Sequence, residues 1–212
     1  MSTTRFSPRS DTDVADLVAN HPLAFVVSKG GDRMHSTLLP LRIERLANGR
    51  IASLSGHIAR ANPQVGALKA DPQATLLFLG PHGYVSPSWL SDRTQAPTWN
   101  YACANFSVRI DFLDDAQNLD RIVGDLVGAM EAGRARAWSA AEMHARYAQL
   151  AARIVAFRAS VLDVEAKFKL GQDERDDVYP EIIAGLRGEG GHDALITMMQ
   201  LFNAHRETGK PT

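Results

Sequence analysis

The spacing of apolar positions changes several times along the chain, and each change predicts an element. Between Asp11 and Asn20, Val14, Leu17 and Val18 fall on one helical face, and Asp11 or Thr12 supplies a capping side chain. His21-Pro22 ends that helix. LAFVVS (23–28) is a short apolar run with two Val and a Phe, the composition of a strand. KGGDR then turns the chain. MHSTLLPLRIE (34–44) reads as a strand whose hydrogen bonding Pro40 interrupts. In LANGR, Asn48-Gly49 suits a type I′ turn, so RIASLSGHI (50–58) is the return strand of a hairpin. Asn62 caps a brief helix, NPQVGALKA, with Pro63 at its first position. QATLLFLG (73–80) and YACANFSVRIDFLD (101–114) are further strands.

From about residue 116 the period becomes helical. Leu119, Ile122, Val123, Leu126, Val127 and Met130 form an apolar stripe, and Ser139 opens a second helix, AAEMHARYAQLAA. IVAFRASVLDVEAKF (154–168) returns to strand alternation. Two helices close the chain, DVYPEIIAGLRG and HDALITMMQLFNA, separated by GEGG. Parallel βαβ alternation is missing and the early strands are joined by short turns. The expected class is therefore α+β, mainly β, built on an antiparallel barrel. The expected organisation is a barrel over 1–170 with a helical insertion at about 116–152, and a C-terminal helical extension, 171–212, packed on it.

Charge and composition remove several function classes. The chain has 212 residues, with 23 Lys and Arg against 24 Asp and Glu, a net charge of −1. A basic footprint for nucleic acid is absent at that level. Cys103 is the only cysteine, which excludes an intrachain disulfide and a zinc site needing two cysteines. The polar start MSTTRFSPRSDTD and the lack of an 18-residue apolar run point to a cytoplasmic protein with no membrane partner.

Candidate chemistry is sparse. His35, His57 and His82 lie in successive strand segments, but their spacing matches no compact metal motif, so no metal is expected. Cys103 sits in a strand, as an inert thiol would. Ser86, Ser88 and Ser91 lack a G-x-S-x-G setting, and neither G-x-G-x-x-G nor a P-loop occurs. SGHIARANP (55–63) is more suggestive. It places His57, Arg60 and Asn62 directly before a helix start, where backbone amides and a guanidinium can hold a phosphate. A plain capped turn explains the same residues. KFKLGQ (167–172) puts Lys167 and Lys169 on one side of an extended segment, which also suits a solvated edge. The final helix offers Leu195, Ile196, Met198, Met199, Leu201 and Phe202, an apolar surface unlike a DNA-reading helix.

Residues 80–101 hold two of the three Trp, two of the four Tyr and three of the ten Pro. In GPHGYVSPSWL and APTWNY, Pro81, Pro87 and Pro97 stiffen the backbone that carries Tyr84, Trp89, Trp99 and Tyr101. Stiff aromatic walls suit a flat cofactor or a subunit interface.

LLPL (38–41), GHIARANPQ (56–64), GPHGYVSPSW (80–89), PTWNY (97–101) and KFKLGQ (167–172) occur in the order found in PaiB-type proteins, the FMN-binding negative transcriptional regulators. The resemblance covers about residues 4 to 190. This chain departs from the family pattern at Ala156, often Gly, and at Gly171, often Ser. The resemblance implies a split β-barrel like that of flavin reductases and pyridoxamine-phosphate oxidases, working as a homodimer with FMN in a groove between subunits. Carried over, Ser36, Thr37 and Leu38 would line the flavin ring, and His57, Arg60 and Asn62 would approach the phosphate. Trp99 and Asn100 would come from the aromatic block of this or the second subunit, and Lys169 from KFKLGQ. A regulatory, flavin-dependent role follows from the family. The alternative, by analogy with the barrel, is an FMN-dependent oxidoreductase acting on a small molecule. Direct DNA binding is disfavoured by the charge balance.

Overall fold

A computed structural model describes residues 5–204 of the chain. The helices are α1 (Asp11–Asn20), α2 (Pro63–Ala70), α3 (Ala116–Glu131), α4 (Ala145–Ala151), α5 (Tyr179–Glu189) and α6 (Asp193–Phe202). The strands are β1 (Leu23–Gly30), β2 (Arg33–Pro40), β3 (Arg42–Ala47), β4 (Arg50–Ala59), β5 (Gln73–Val85), β6 (Thr98–Leu113) and β7 (Ile154–Lys169). They form one sheet in the order β2-β1-β5-β6-β7-β4-β3. The pairs β1–β2, β1–β5, β3–β4 and β4–β7 are antiparallel. The expected α+β class, with an antiparallel β framework and C-terminal helices, is the one found.

Two expectations change. The strand read across 34–44 is two strands. Pro40 has no amide to donate, and at this point the backbone leaves β1 for β4. Leu41, fully buried, donates its amide to the Pro22 carbonyl instead (2.8 Å). The helix read from Ser139 is also broken. A 3₁₀ turn, Ala140–Met143, stops at His144, whose φ is +47°, and α4 follows. Tyr147 on α4 donates to Asp120 of α3 (2.6 Å), a tertiary bond that redirects the chain. Burial, together with that carboxylate, pushes the Tyr147 phenol up to about 12. At Asn48-Gly49 the hairpin turn forms as the sequence requires, with φ of +52° and +81° and Ala47 facing Arg50.

The residues fall into two compact units. One comprises Asp11–Phe78 and Asn105–Glu165. Its core includes Leu17, Val18, Val26, Leu54, Leu76, Phe78, Phe106 and Phe157, all essentially inaccessible. Phe78 meets Phe106 edge to face at 5.5 Å between centroids. Of the α3 stripe, Leu119 and Ile122 are buried with Ala156, whereas Leu126, Val127 and Met130 keep part of their surface in solvent.

Among the described residues, the other unit comprises 5–10, Leu79–Ala104 and 166–204. Here α6 buries Leu195, Ile196, Met199 and Phe202. Phe202 stacks on Phe168 at 5.2 Å, and the Arg9 guanidinium lies 4.1 Å from its ring centre. The apolar side of α6 is therefore largely used up within this unit. Among the described residues no helix is long and apolar enough to cross a membrane.

Candidate functional site

The segment 56–64 forms as a strand end, a turn and a helix start. Asn62 accepts from the Gln64 amide (2.9 Å) and donates from Nδ2 to the Thr37 hydroxyl (3.0 Å). That hydroxyl donates to Gln64 Oε1 (2.6 Å). Gln64 Nε2 in turn donates to the Val26 carbonyl (2.9 Å) and the Ser28 hydroxyl (3.0 Å). Thr37, Asn62 and Gln64 thus close a ring that fixes α2 to β1 and β2. The close approach also needs Gly30, where a Cβ would lie 2.7 Å from His35 Nε2 and 2.8 Å from Ala67 Cβ. Sequence reasoning named Thr37 and Asn62 but missed Gln64, the fully buried member that holds both. Its place after Asn-Pro in GHIARANPQ was the available signal.

The same ring limits the helix start as an anion site. The Gln64 amide goes to Asn62 Oδ1 and the Val65 amide to the Asn62 carbonyl (3.0 Å). Arg60 is the mobile charge. It pairs with Asp114 (2.8 Å), with both side chains about half in solvent. Such an exposed pair is worth at most about 1 kcal/mol and yields readily to a better anion.

His57 faces elsewhere. It pairs across the sheet with Ala156, which is buried with Leu119 and Ile122 of α3, and directly opposed residues share a face. Its Nδ1 is buried with no hydrogen-bond partner among the described residues, and burial pushes the imidazole below its ordinary value.

Ser36 and Leu38 lie on the side of β2 turned from α2. Leu38 opposes Phe25 and Ser36 opposes Val27 in the β1–β2 register. Phe25 is 49% and Leu38 46% exposed, and Leu23 on the same face is also exposed. This is an uncovered apolar sheet face.

In the second unit, GPHGYVSPSWL is mostly strand rather than loop, because β5 continues to Val85 before a 3₁₀ turn at Pro87–Trp89. Trp89 packs on α5 so closely that a Cβ at Gly185 would come 2.3 Å from its ring. Trp99 and Tyr101 stand on β6. Trp99, 54% exposed, meets Tyr84 at 5.9 Å and His82 at 6.4 Å. His82 Nδ1 bonds the Gly80 carbonyl (3.0 Å), a histidine satisfied by its own strand. Lys169 donates to the Thr98 hydroxyl and to the Trp99 carbonyl (3.2 Å). Lys167 lies over the rings of Phe6 and Tyr101. Cys103 is half-buried, and burial pushes its thiol up, away from a reactive thiolate.

Asn100 points the other way from Trp99, as alternation requires. It is fully buried, with Nδ2 3.6 Å from Met199 Sδ and Oδ1 without a partner among the described residues. Asn100→Leu removes that orphan acceptor on the same branched heavy-atom skeleton. It is expected to change the unfolding free energy by less than about 1 kcal/mol, or to raise it. A urea titration showing a loss above about 2 kcal/mol would mean the carbonyl has a partner in solution.

The second residue missed from sequence is Glu44. A bulge between Ile43 and Arg45 re-aims it. Its oxygens accept from Arg158 Nε (2.6 Å) and Nη2 (2.8 Å), from Ser53 (3.0 Å) and from Arg121 (2.9 Å). Led by the Arg158 bonds, these hold its carboxyl at about 2, although burial acts in the opposite direction. Among the described residues no group of three His, Cys, Asp or Glu side chains could hold a metal.

An antiparallel sheet of this order with peripheral helices is a split β-barrel framework. Residues 2–163 match the family described as "Putative FMN-binding domain", and the chain belongs to that family. Its cofactor is FMN. The chain is 26% identical over 194 residues to the Bacillus subtilis protease synthase and sporulation protein PAI 2, covering 89% of this chain and 90% of that protein. Its fold is similar to that of an FAD and heme binding protein from Mycobacterium smegmatis (TM-score 0.58, 18% identity, 84% of this chain and 80% of the other). A conserved hypothetical protein of Mycobacterium tuberculosis is similar in fold too (TM-score 0.57, 13% identity, 80% and 91%).

Proposed function

We propose that this chain is a flavin-dependent regulatory protein that binds FMN as a homodimer. One observation carries the reading. Phe25 and Leu38, directly opposed on β1 and β2, stay about half exposed, and the family resemblance assigns the strand of Leu38 to the flavin ring. Contiguous apolar patches of this kind are uncommon on monomers and mark ligand or subunit contacts. The residues fit the cofactor's chemistry. The flat, largely apolar ring suits the Phe25–Leu38 face, with the Ser36 hydroxyl as a polar neighbour. The anionic tail suits Arg60, whose present partner is a weak surface pair. Thr37 and Asn62 act by fixing the strand and the turn through Gln64. When bound, FMN supplies reversible electron transfer. The exposed Trp99 and Tyr84 add a second aromatic surface suited to a subunit contact. The regulatory role follows the PaiB resemblance. With 23 basic against 24 acidic side chains, it is proposed to run through a partner or a metabolite signal rather than through tight DNA contacts. A cytoplasmic location is part of the same reading.

Titration of the flavin-free protein with FMN is expected to quench flavin fluorescence and raise the melting temperature. No response at about 100 μM FMN, where a useful cofactor site is well occupied, would sink the reading. Arg60→Gln is expected to weaken FMN about tenfold while leaving riboflavin, which lacks the phosphate, nearly unchanged. Equal losses for both would show that Arg60 does not read the phosphate. Light scattering is expected to give twice the 23.1 kDa chain mass. A monomer at micromolar concentration removes the dimer.

A further inference from the structure

The side of β4 that carries Ser53 and Ser55 is overlaid by α3, and a cavity of about 300 Å³ opens there. It is lined by Arg42, Glu44, Ser55, Arg121 and Asp125, with Ile43 and Ala129 as its apolar wall. The charges in it are unevenly satisfied. Glu44 is saturated by Arg158, Ser53 and Arg121. Asp125 has one distant ion pair, to Arg121 at 3.6 Å. Arg42 is half-buried, and among the described residues no acceptor pairs with its guanidinium. Ser55 is almost wholly buried, and its hydroxyl has no hydrogen bond among the described residues. Among the lining side chains Arg42 and Arg121 stand against Glu44 and Asp125, and with Arg121 paired to Glu44, Arg42 is the cation left without a partner among the described residues.

A guanidinium on a partly buried residue, with no counterion among the described residues, is open to an anion and matches a carboxylate in fork geometry. A single unpartnered guanidinium suits a monoanion, whereas a phosphate dianion would also meet the Glu44 and Asp125 carboxylates. The apolar wall suits a short alkyl tail, and the volume, at the low end for small-molecule sites, suits a small ligand. We propose that this cavity binds a short aliphatic monocarboxylate. Arg42 and the Ser55 hydroxyl take the carboxylate, and Ile43 and Ala129 take the tail. This site shares no residue with the proposed flavin site and stands whether or not FMN binds.

The probe is sodium n-butyrate, added at constant ionic strength against chloride and followed by amide chemical shifts in the full chain. Saturable shifts at Arg42, Ser55 and neighbouring amides are expected with a dissociation constant of roughly 1–10 mM. Arg42→Gln, which breaks no ion pair, is expected to fold normally and to weaken butyrate at least tenfold. Ser55→Ala is a second variant expected to weaken it less. n-Butylammonium should not bind. The proposal is overturned if butyrate gives no saturable shift by about 50 mM, well above that range. It is equally overturned if Arg42→Gln binds as well as the natural chain, or if butylammonium or inorganic phosphate binds the cavity more tightly than butyrate.

Discussion

Gln64→Leu is expected to lower the unfolding free energy by about 3 kcal/mol, from three side-chain hydrogen bonds at about 1 kcal/mol each. Leu nearly matches Gln in volume, so the loss reports the bonds rather than a cavity. The Thr37 hydroxyl, the Ser28 hydroxyl and the Val26 carbonyl each lose a partner, in a place where Ser28 and Gln64 are buried. For a chain of this size the melting temperature should fall by about 6–12 °C. Gln64→Glu keeps the acceptor for Thr37 and removes the donors to Val26 and Ser28. It should also bring a buried charge, and so destabilise at least as much at neutral pH. If both variants melt within about 2 °C of the natural chain, less than 1 kcal/mol on this scale, the ring does not fix α2 to β1 and β2.

Glu44→Gln is expected to cost roughly 2 kcal/mol at pH 7, allowing for partial solvent screening of its arginine partners. The Glu44 side chain is only 11% exposed and accepts from two guanidinium groups and a serine. Its folded value, about 2, lies below the ordinary 4.5. A depressed carboxyl stabilises the fold above its unfolded value and loses that contribution as pH falls towards the folded one. The gap between the natural chain and the variant should therefore be full above about pH 5 and shrink between pH 4.5 and 2. Urea unfolding at pH 7, 4.5 and 3 measures it. A gap that stays constant over this range would mean that Glu44 contributes through shape and packing rather than through its charge and the arginines.

Much of this protein was legible in the order of its residues. Val14, Leu17 and Val18 gave α1, Asn48-Gly49 gave the hairpin turn, and Asn62-Pro63 gave the cap of α2, because each signal is local and acts through its own backbone. Antiparallel pairing followed from short connections between successive strands. The motifs from LLPL to KFKLGQ led to the family. Local signals were not enough where two distant segments decide the outcome. Pro40 could be read as an interruption, but the choice of β1 on one side and β4 on the other belongs to the sheet. The break at His144 depends on what Tyr147 meets on α3.

The site residues divide in the same way. By itself the sequence determined the residue types, their order and the charge balance, and hence an antiparallel fold and an FMN-binding family. The strand read from Tyr101 begins at Thr98 in the structure, and that extension puts Trp99 and Asn100 on opposite faces. Only the tertiary structure decided which side chains are spent on holding the fold and which are left over. Asn62 is engaged by Thr37 and Gln64, Arg60 rests on an exposed and exchangeable pair, and Glu44 is drawn by a bulge between two arginines. The reason is physical: a hydrogen bond or ion pair between residues 27 or 114 positions apart depends on register and burial, which no short window of sequence contains.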